Sequence, residues 1–295
     1  MKILQYIILT AALMLSGKAY PQLNAMGSTY FQNQYLANPA MAGVQKGWQI
    51  GAAYKVQWTA IDGSPSMQAF SLTKGIANTR LGFGLSLYNE SAGVIHRTSI
   101  KATYAYHLPL NNNAAFIDFG LSAGLMNEWI DFLKITGDTD DQSLQQFNAR
   151  KLYLDGDFGI ALRNGPLIIQ AGIPNLKSFL NRDLRKNSAD RSSYMGAVSY
   201  RFTGQGGAIS SVEPKLIYRG IHNYKNIVDL GAQMQFWEDK LTVHSMYHST
   251  NSMTVGIGTL YQNQLHILCF YTTGTSDLGT YSNGEFEIAL RFQFR

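Results

Sequence analysis

The chain has a single cysteine, Cys269, in 295 residues. That excludes an intramolecular disulfide and any cysteine-based metal site. Charge is also scarce: Asp, Glu, Lys and Arg make up 15% of the sequence, against about 25% in soluble domains. After residue 19 no apolar run approaches the roughly 20 residues a transmembrane helix needs. No Gly-x-Ser-x-Gly, His-Glu-x-x-His or phosphate-cradling glycine loop occurs, and no nucleophile is paired with a base. No basic cluster of the kind that binds nucleic acid is present. The expectation is a protein without enzymatic activity, cofactor or nucleic-acid partner.

What is present points to export. Lys2 precedes the apolar run Ile3 to Leu15, broken only by Gln5 and Thr10, and Gly17-Lys18-Ala19 supplies small residues for a signal peptidase. Residues 1–19 read as a secretory signal peptide, since about 13 apolar residues are too few for a spanning anchor. Loss of Lys2 and Lys18 with that signal lowers the formal charge from +5 to +3. Tyrosine, phenylalanine and glycine are plentiful. An exported chain that is rich in aromatics, poor in charge and without a hydrophobic helix fits a membrane β-barrel, in which only every second residue meets lipid.

The alternation is legible along the mature chain. Trp48, Ile50, Ala52, Tyr54, Val56 and Trp58 share one face, opposite Gln49, Gly51, Ala53, Lys55 and Gln57. Leu81, Phe83, Leu85 and Leu87 alternate with Gly82, Gly84 and Ser86. Thr98 to Leu108 carries an apolar set against Arg97, Lys101 and His107. Similar segments read at Ile117 to Leu125, Leu152 to Leu162, Leu167 to Ile173, Tyr194 to Phe202, Val212 to Tyr218, Val228 to Phe236, Leu241 to Tyr247, Met253 to Tyr261 and Leu265 to Thr273. A weaker one lies at Met67 to Lys74. The last, Gly284 to Arg295, alternates to the end and is expected to close the ring. The reading is an all-β transmembrane antiparallel barrel of about fourteen strands over residues 48–295, preceded by a periplasmic or lumenal segment at 20–47.

The connections sort by parity. Those at Gly75 to Thr79, Pro109 to Asn113, Asn164-Gly165, Thr203 to Ala208, Glu238-Asp239 and Asn263 are short. The alternate set includes the long segments Glu128 to Lys151, Asn175 to Ser192 and Gly274 to Gly284. Short periplasmic turns opposite long outer loops are the asymmetry of outer-membrane barrels. A soluble sandwich or lipocalin-like barrel would turn its oily face inward instead.

Several titratable groups fall on the inner phase. The cations are Lys55, Arg97, Lys101, Arg163, Lys215, Arg219 and Arg291; the acids are Asp155, Asp157, Glu213, Asp229 and Glu287. They could select anions in an open pore or pair to fill a closed one. His244 and His248 share a strand face but lie about 13 Å apart, too far to share a metal. Asp138, Asp140 and Asp141 suggest a cation loop or a solvated one, without the closing Glu of a complete calcium site.

Two stretches exceed what barrel physics requires. Tyr30 to Gly43, with Asn38-Pro39-Ala40-Met41-Ala42-Gly43, resembles the Asn-Pro-Ala-x-Ala-Gly signature of the PorP/SprF family. Tyr54-Lys55-Val56-Gln57-Trp58, Asp62-Gly63-Ser64-Pro65 and Gln68-Ala69-Phe70-Ser71 are similar to three further elements of that family, in order. Gly82-Phe83-Gly84, Asn89 to Gly93 and Phe286-Glu287-Ile288 continue the resemblance; Lys55 replaces the usual Arg and Met41 the usual aromatic or larger residue. Asp62 to Pro65 has turn chemistry, and Trp58 has the character of an interfacial girdle residue. The resemblance implies an outer-membrane component of the Bacteroidetes type IX secretion and gliding machinery. Its implied partners are membrane lipid, periplasmic ring components and a secreted cell-surface adhesin that it helps secrete or anchor. The competing expectation is a passive porin or small-solute transporter with an anion-preferring lumen.

Overall fold

A computed structural model describes residues 31–57, 63–110, 114–131, 152–180, 193–204, 207–221, 226–274 and 283–294. The strands are β1 (Gly47–Gln57), β2 (Ser66–Gly75), β3 (Leu81–Ala92), β4 (Ile95–Leu110), β5 (Ala115–Ile130), β6 (Tyr153–Asn164), β7 (Leu167–Ile173) and β8 (Ser193–Tyr200). They continue as β9 (Phe202–Thr203), β10 (Ile209–Ile221), β11 (Ile227–Phe236), β12 (Leu241–His248), β13 (Ser252–Tyr261), β14 (Leu265–Thr272) and β15 (Glu285–Phe294). Fourteen form a closed antiparallel ring, and the two-residue β9 pairs only with β10. The seam is the β15–β1 pairing, from Trp48 opposite Phe294 to Gln57 opposite Glu285. Closure leaves no open sheet edge in the ring, which a bilayer would not tolerate.

The alternation turns the usual protein inside out. Leu121, Leu230, Ile257 and Ile288 point outward and are half or more exposed, while Asp118, Thr254, Gln57 and His244 point inward and are buried. Short connections lie on one rim. Gly165 takes φ +53°, and Trp237, Glu238 and Asp239 take left-handed conformations that turn β11 into β12. The first of these positions suits glycine; the other three are tolerated within a turn closed by the Lys240 amide donating to the Trp237 carbonyl.

β3, β4 and β5 are longer than the alternation predicts. The outward row Leu87, Ile100, Leu125 is followed by Asn89, Thr98 and Asn127, with Thr98 Oγ1 donating to Asn89 Oδ1 at 2.9 Å. Beyond that row His96 stacks on Trp129 at 4.2 Å. Where lipid no longer demands apolar side chains the sequence signal stops, yet the backbone ladder continues. The long connection expected from Glu128 therefore starts later, because Glu128 to Ile130 belong to β5. The segment expected as a loop from Asn175 contains a short helix, Leu176–Leu180. Asp138, Asp140 and Asp141 lie outside the described residues.

Candidate functional site

The segment before β1 lies inside the ring, and the sequence explains its shape. Asn38 precedes proline and is extended, with φ −142° and ψ 110°. Its Oδ1 accepts from the Ala40 amide at 3.0 Å, capping the single 3-10 turn Pro39–Met41. Gly43 then takes φ +67°, a conformation that other residues avoid, and redirects the chain toward β1. A second 3-10 turn, Gln34–Leu36, stands just before.

Glycines on the inner phase of the wall receive this segment. A Cβ on Gly159 would overlap Asn38 Oδ1, one on Gly120 would overlap Pro39 and the Ala40 amide, and one on Gly82 would overlap the Ala42 carbonyl. A Cβ on Gly84 would stand 2.5 Å from the Tyr35 ring, and one on Gly51 would stand 2.6 Å from Asn33 Nδ2. Five glycines on four strands, β1, β3, β5 and β6, thus leave out side chains where the segment lies.

Hydrogen bonds complete the docking. Asn38, fully buried, donates from Nδ2 to the Ile160 carbonyl at 3.2 Å and to Gln170 Oε1 at 3.3 Å. Gln170 Nε2 donates to Gln34 Oε1 at 2.8 Å, and Asn33 Nδ2 donates to Ser71 Oγ at 2.6 Å. The Tyr35 hydroxyl meets Thr103 Oγ1 at 2.9 Å. His107 bridges segment and wall, with Nε2 at 3.1 Å from the Ala42 carbonyl and Nδ1 at 2.7 Å from Asp118 Oδ1. Phe31 adds an apolar anchor among Met195, Ala197, Ile217 and Met246.

The inner-phase charges are largely paired. Lys55 meets Glu285 at 2.5 Å, Arg97 meets Glu128 at 2.5 Å, Lys101 meets Asp157 at 2.7 Å and Arg219 meets Asp229 at 2.8 Å. Arg163 grips buried Asp118 with two bonds, at 2.5 and 2.9 Å. Lys215 lies 3.5 Å from Glu213 and 4.3 Å above the Phe31 ring. Arg291 donates to the Gln32 carbonyl at 3.0 Å. Asp155 accepts from the Lys177 amide at the start of the short helix, at 2.9 Å. His248 is bound to Asp229 and Thr254, whereas His244 sits between the rings of Phe31 and Phe270. Among the described residues no group of three or more His, Cys, Asp or Glu is placed to hold a metal.

The family described as "Type IX secretion system membrane protein PorP/SprF" matches residues 20–292. The chain belongs to it. Membership makes this barrel a membrane component of the type IX secretion system and supports an outer-membrane location. No curated protein matches the sequence. Among solved structures, the Acinetobacter baumannii outer membrane protein Omp33 aligns at TM-score 0.47 and 8% identity, covering 84% of this chain and 98% of that one. A mutant of the Rh. blastica porin aligns at TM-score 0.38 and 11% identity, covering 84% and 98%.

The motif residues of this PorP/SprF member do not gather into one site. Asn38, Pro39, Ala40 and Gly43 form the lumenal segment, and Ser71 accepts from it. Gln57 turns inward, with Nε2 donating to Glu285 Oε1 at 2.7 Å, and its amide donates to the Pro65 carbonyl at 2.9 Å. Gly63, at φ +74°, accepts from the Gly93 amide at 2.8 Å and links the hairpin tips of β1–β2 and β3–β4. Tyr54, Gln68 and Phe70 point outward. Trp58 and Asp62 lie outside the described residues. Sequence reasoning missed Gly120, Gly159 and Gln170; the visible signal was glycine recurring on the inner phase of β5 and β6.

Proposed function

We propose that this barrel acts through its rims, helping to secrete or anchor a cognate cell-surface adhesin and engaging periplasmic ring components of the secretion machinery. The observation that carries the reading is the filled lumen. The family signature is spent on a segment docked inside the ring, and Arg97, Lys101 and Arg163 pair with acids of nearby strands. A wall so occupied is suited to a rigid scaffold, and recognition on a rigid scaffold normally resides in the connecting loops. The long connections after β5 and β7, read from the sequence as Glu128 to Lys151 and Asn175 to Ser192, are the proposed contacts with the adhesin. The role is non-enzymatic in this reading.

The tagged barrel, recovered from gently solubilised outer membranes and analysed by mass spectrometry, is expected to carry a large secreted surface protein or periplasmic ring components. Recovery of the barrel alone, under conditions that preserve other membrane complexes, would overturn the proposal. Removing either loop segment should leave the barrel heat-modifiable on a gel and abolish adhesin display.

A further inference from the structure

Charge inside the ring is unevenly balanced. In the half toward the long loops, Lys55, Arg97, Lys101 and Arg219 each lie within 2.8 Å of a carboxylate. In the half toward the short turns, Arg163 takes Asp118, Arg201 and Lys215 share Glu213, and Arg291 has no carboxylate among its described contacts. There a cavity of about 320 Å³ opens between the lumenal segment and the rim, lined by Arg163, Arg201 and Arg291 together with Glu213 and several glutamines. Arg163 is fully engaged by Asp118. Arg201 is half-exposed, donates to Gln235 Oε1 at 2.7 Å and stands 3.7 Å from Glu213, which also serves Lys215. Among the described residues Arg291 bonds only the Gln32 carbonyl, and its buried Nε has no hydrogen-bond partner.

We propose that this cavity binds a carboxylate side chain of an acidic peptide segment that enters from the short-turn rim. Two under-neutralised guanidiniums lining one cavity suit a carboxylate, whose two oxygens match the planar fork of arginine. The volume falls within the range of small-ligand sites, enough for one or two side chains. Gln32, Gln233 and Gln235 offer both donors and acceptors, which a peptide backbone uses and a bare anion does not. The side of entry rests on the outer-membrane orientation with short turns in the periplasm. Binding itself does not, so the two fail separately.

The test uses the full-length barrel in detergent and a fluorescein-labelled hexapeptide of alternating Asp and Gly, read by anisotropy. The Asn counterpart and inorganic phosphate serve as competitors. Micromolar binding is expected, weakened roughly tenfold by Arg291→Gln and by Arg201→Gln. It should be unchanged by Lys240→Gln, a surface cation on the same rim that is 65% exposed. Heat-modifiability on a gel verifies that each variant is folded, and Arg291→Lys should retain part of the affinity. Equal binding of the Asn peptide, displacement by equimolar phosphate, indifference to both arginine variants, or no binding at all would each overturn the proposal.

Discussion

A side chain on Gly159 of β6 would occupy the place where Asn38 Oδ1 lies. The wall and the segment it holds are therefore complementary at the level of single atoms.

Gly159→Val and Gly120→Val are expected to displace the segment while leaving the strand ladder intact, because both positions face inward from strands whose backbone pairing is complete. Planar-bilayer recording should find the parent barrel nearly silent and each variant conducting. Silent variants would mean that the segment does not close the path.

Asn38→Ala removes the cap of the Pro39–Met41 turn and leaves Gln170 Oε1 without its Asn38 donor. A buried group so deprived loses about 1–3 kcal/mol. Hydrogen exchange at residues 34–42 should accelerate by one to two orders of magnitude, roughly that energy expressed as a rate, with little change in the ring strands.

Asp118→Asn should be the most damaging single change in the inner wall. The carboxylate is wholly buried and accepts from Arg163 and His107, so the variant strands a guanidinium beside a neutral amide. Breaking one member of such a pair costs about 3–5 kcal/mol. The urea midpoint for unfolding from lipid should fall accordingly, and Asp118→Leu with Arg163→Leu should be less harmful than Asp118→Asn alone.

Leu121→Arg and Ser122→Thr separate the two faces of β5. Leu121 is 55% exposed on the outer side, while Ser122 is buried and bonded to Thr103 at 2.7 Å. The first change should destabilise by roughly 2–4 kcal/mol if its depth is near the bilayer centre, and the second by well under that. Equal effects would contradict the lipid-facing assignment.

Much of this architecture was readable without coordinates. The dyads located all fourteen ring strands, the terminal strand was expected at the closure, and it pairs with β1. The reading stopped short at β3 to β5, where Asn89, Thr98 and Asn127 replace the apolar outward row. Asn38-Pro39 and Gly43 marked the backbone angles the segment takes at those positions, since proline and glycine restrict or permit particular angles wherever they stand. They did not foretell what that segment touches. Asn38 reaches Ile160 and Gln170, more than a hundred residues away, and no local pattern encodes that distance.

The alternation along the chain is enough to dictate an inside-out barrel. Lipid contact requires an apolar side chain at every second position and a closed ladder of backbone hydrogen bonds, and both leave a local, repeating trace. Which inner residues meet is a matter of the folded ring. Lys101 finds Asp157, Arg163 finds Asp118, and Gly159 makes room for Asn38 because ring closure and strand register bring together residues that are remote in the chain.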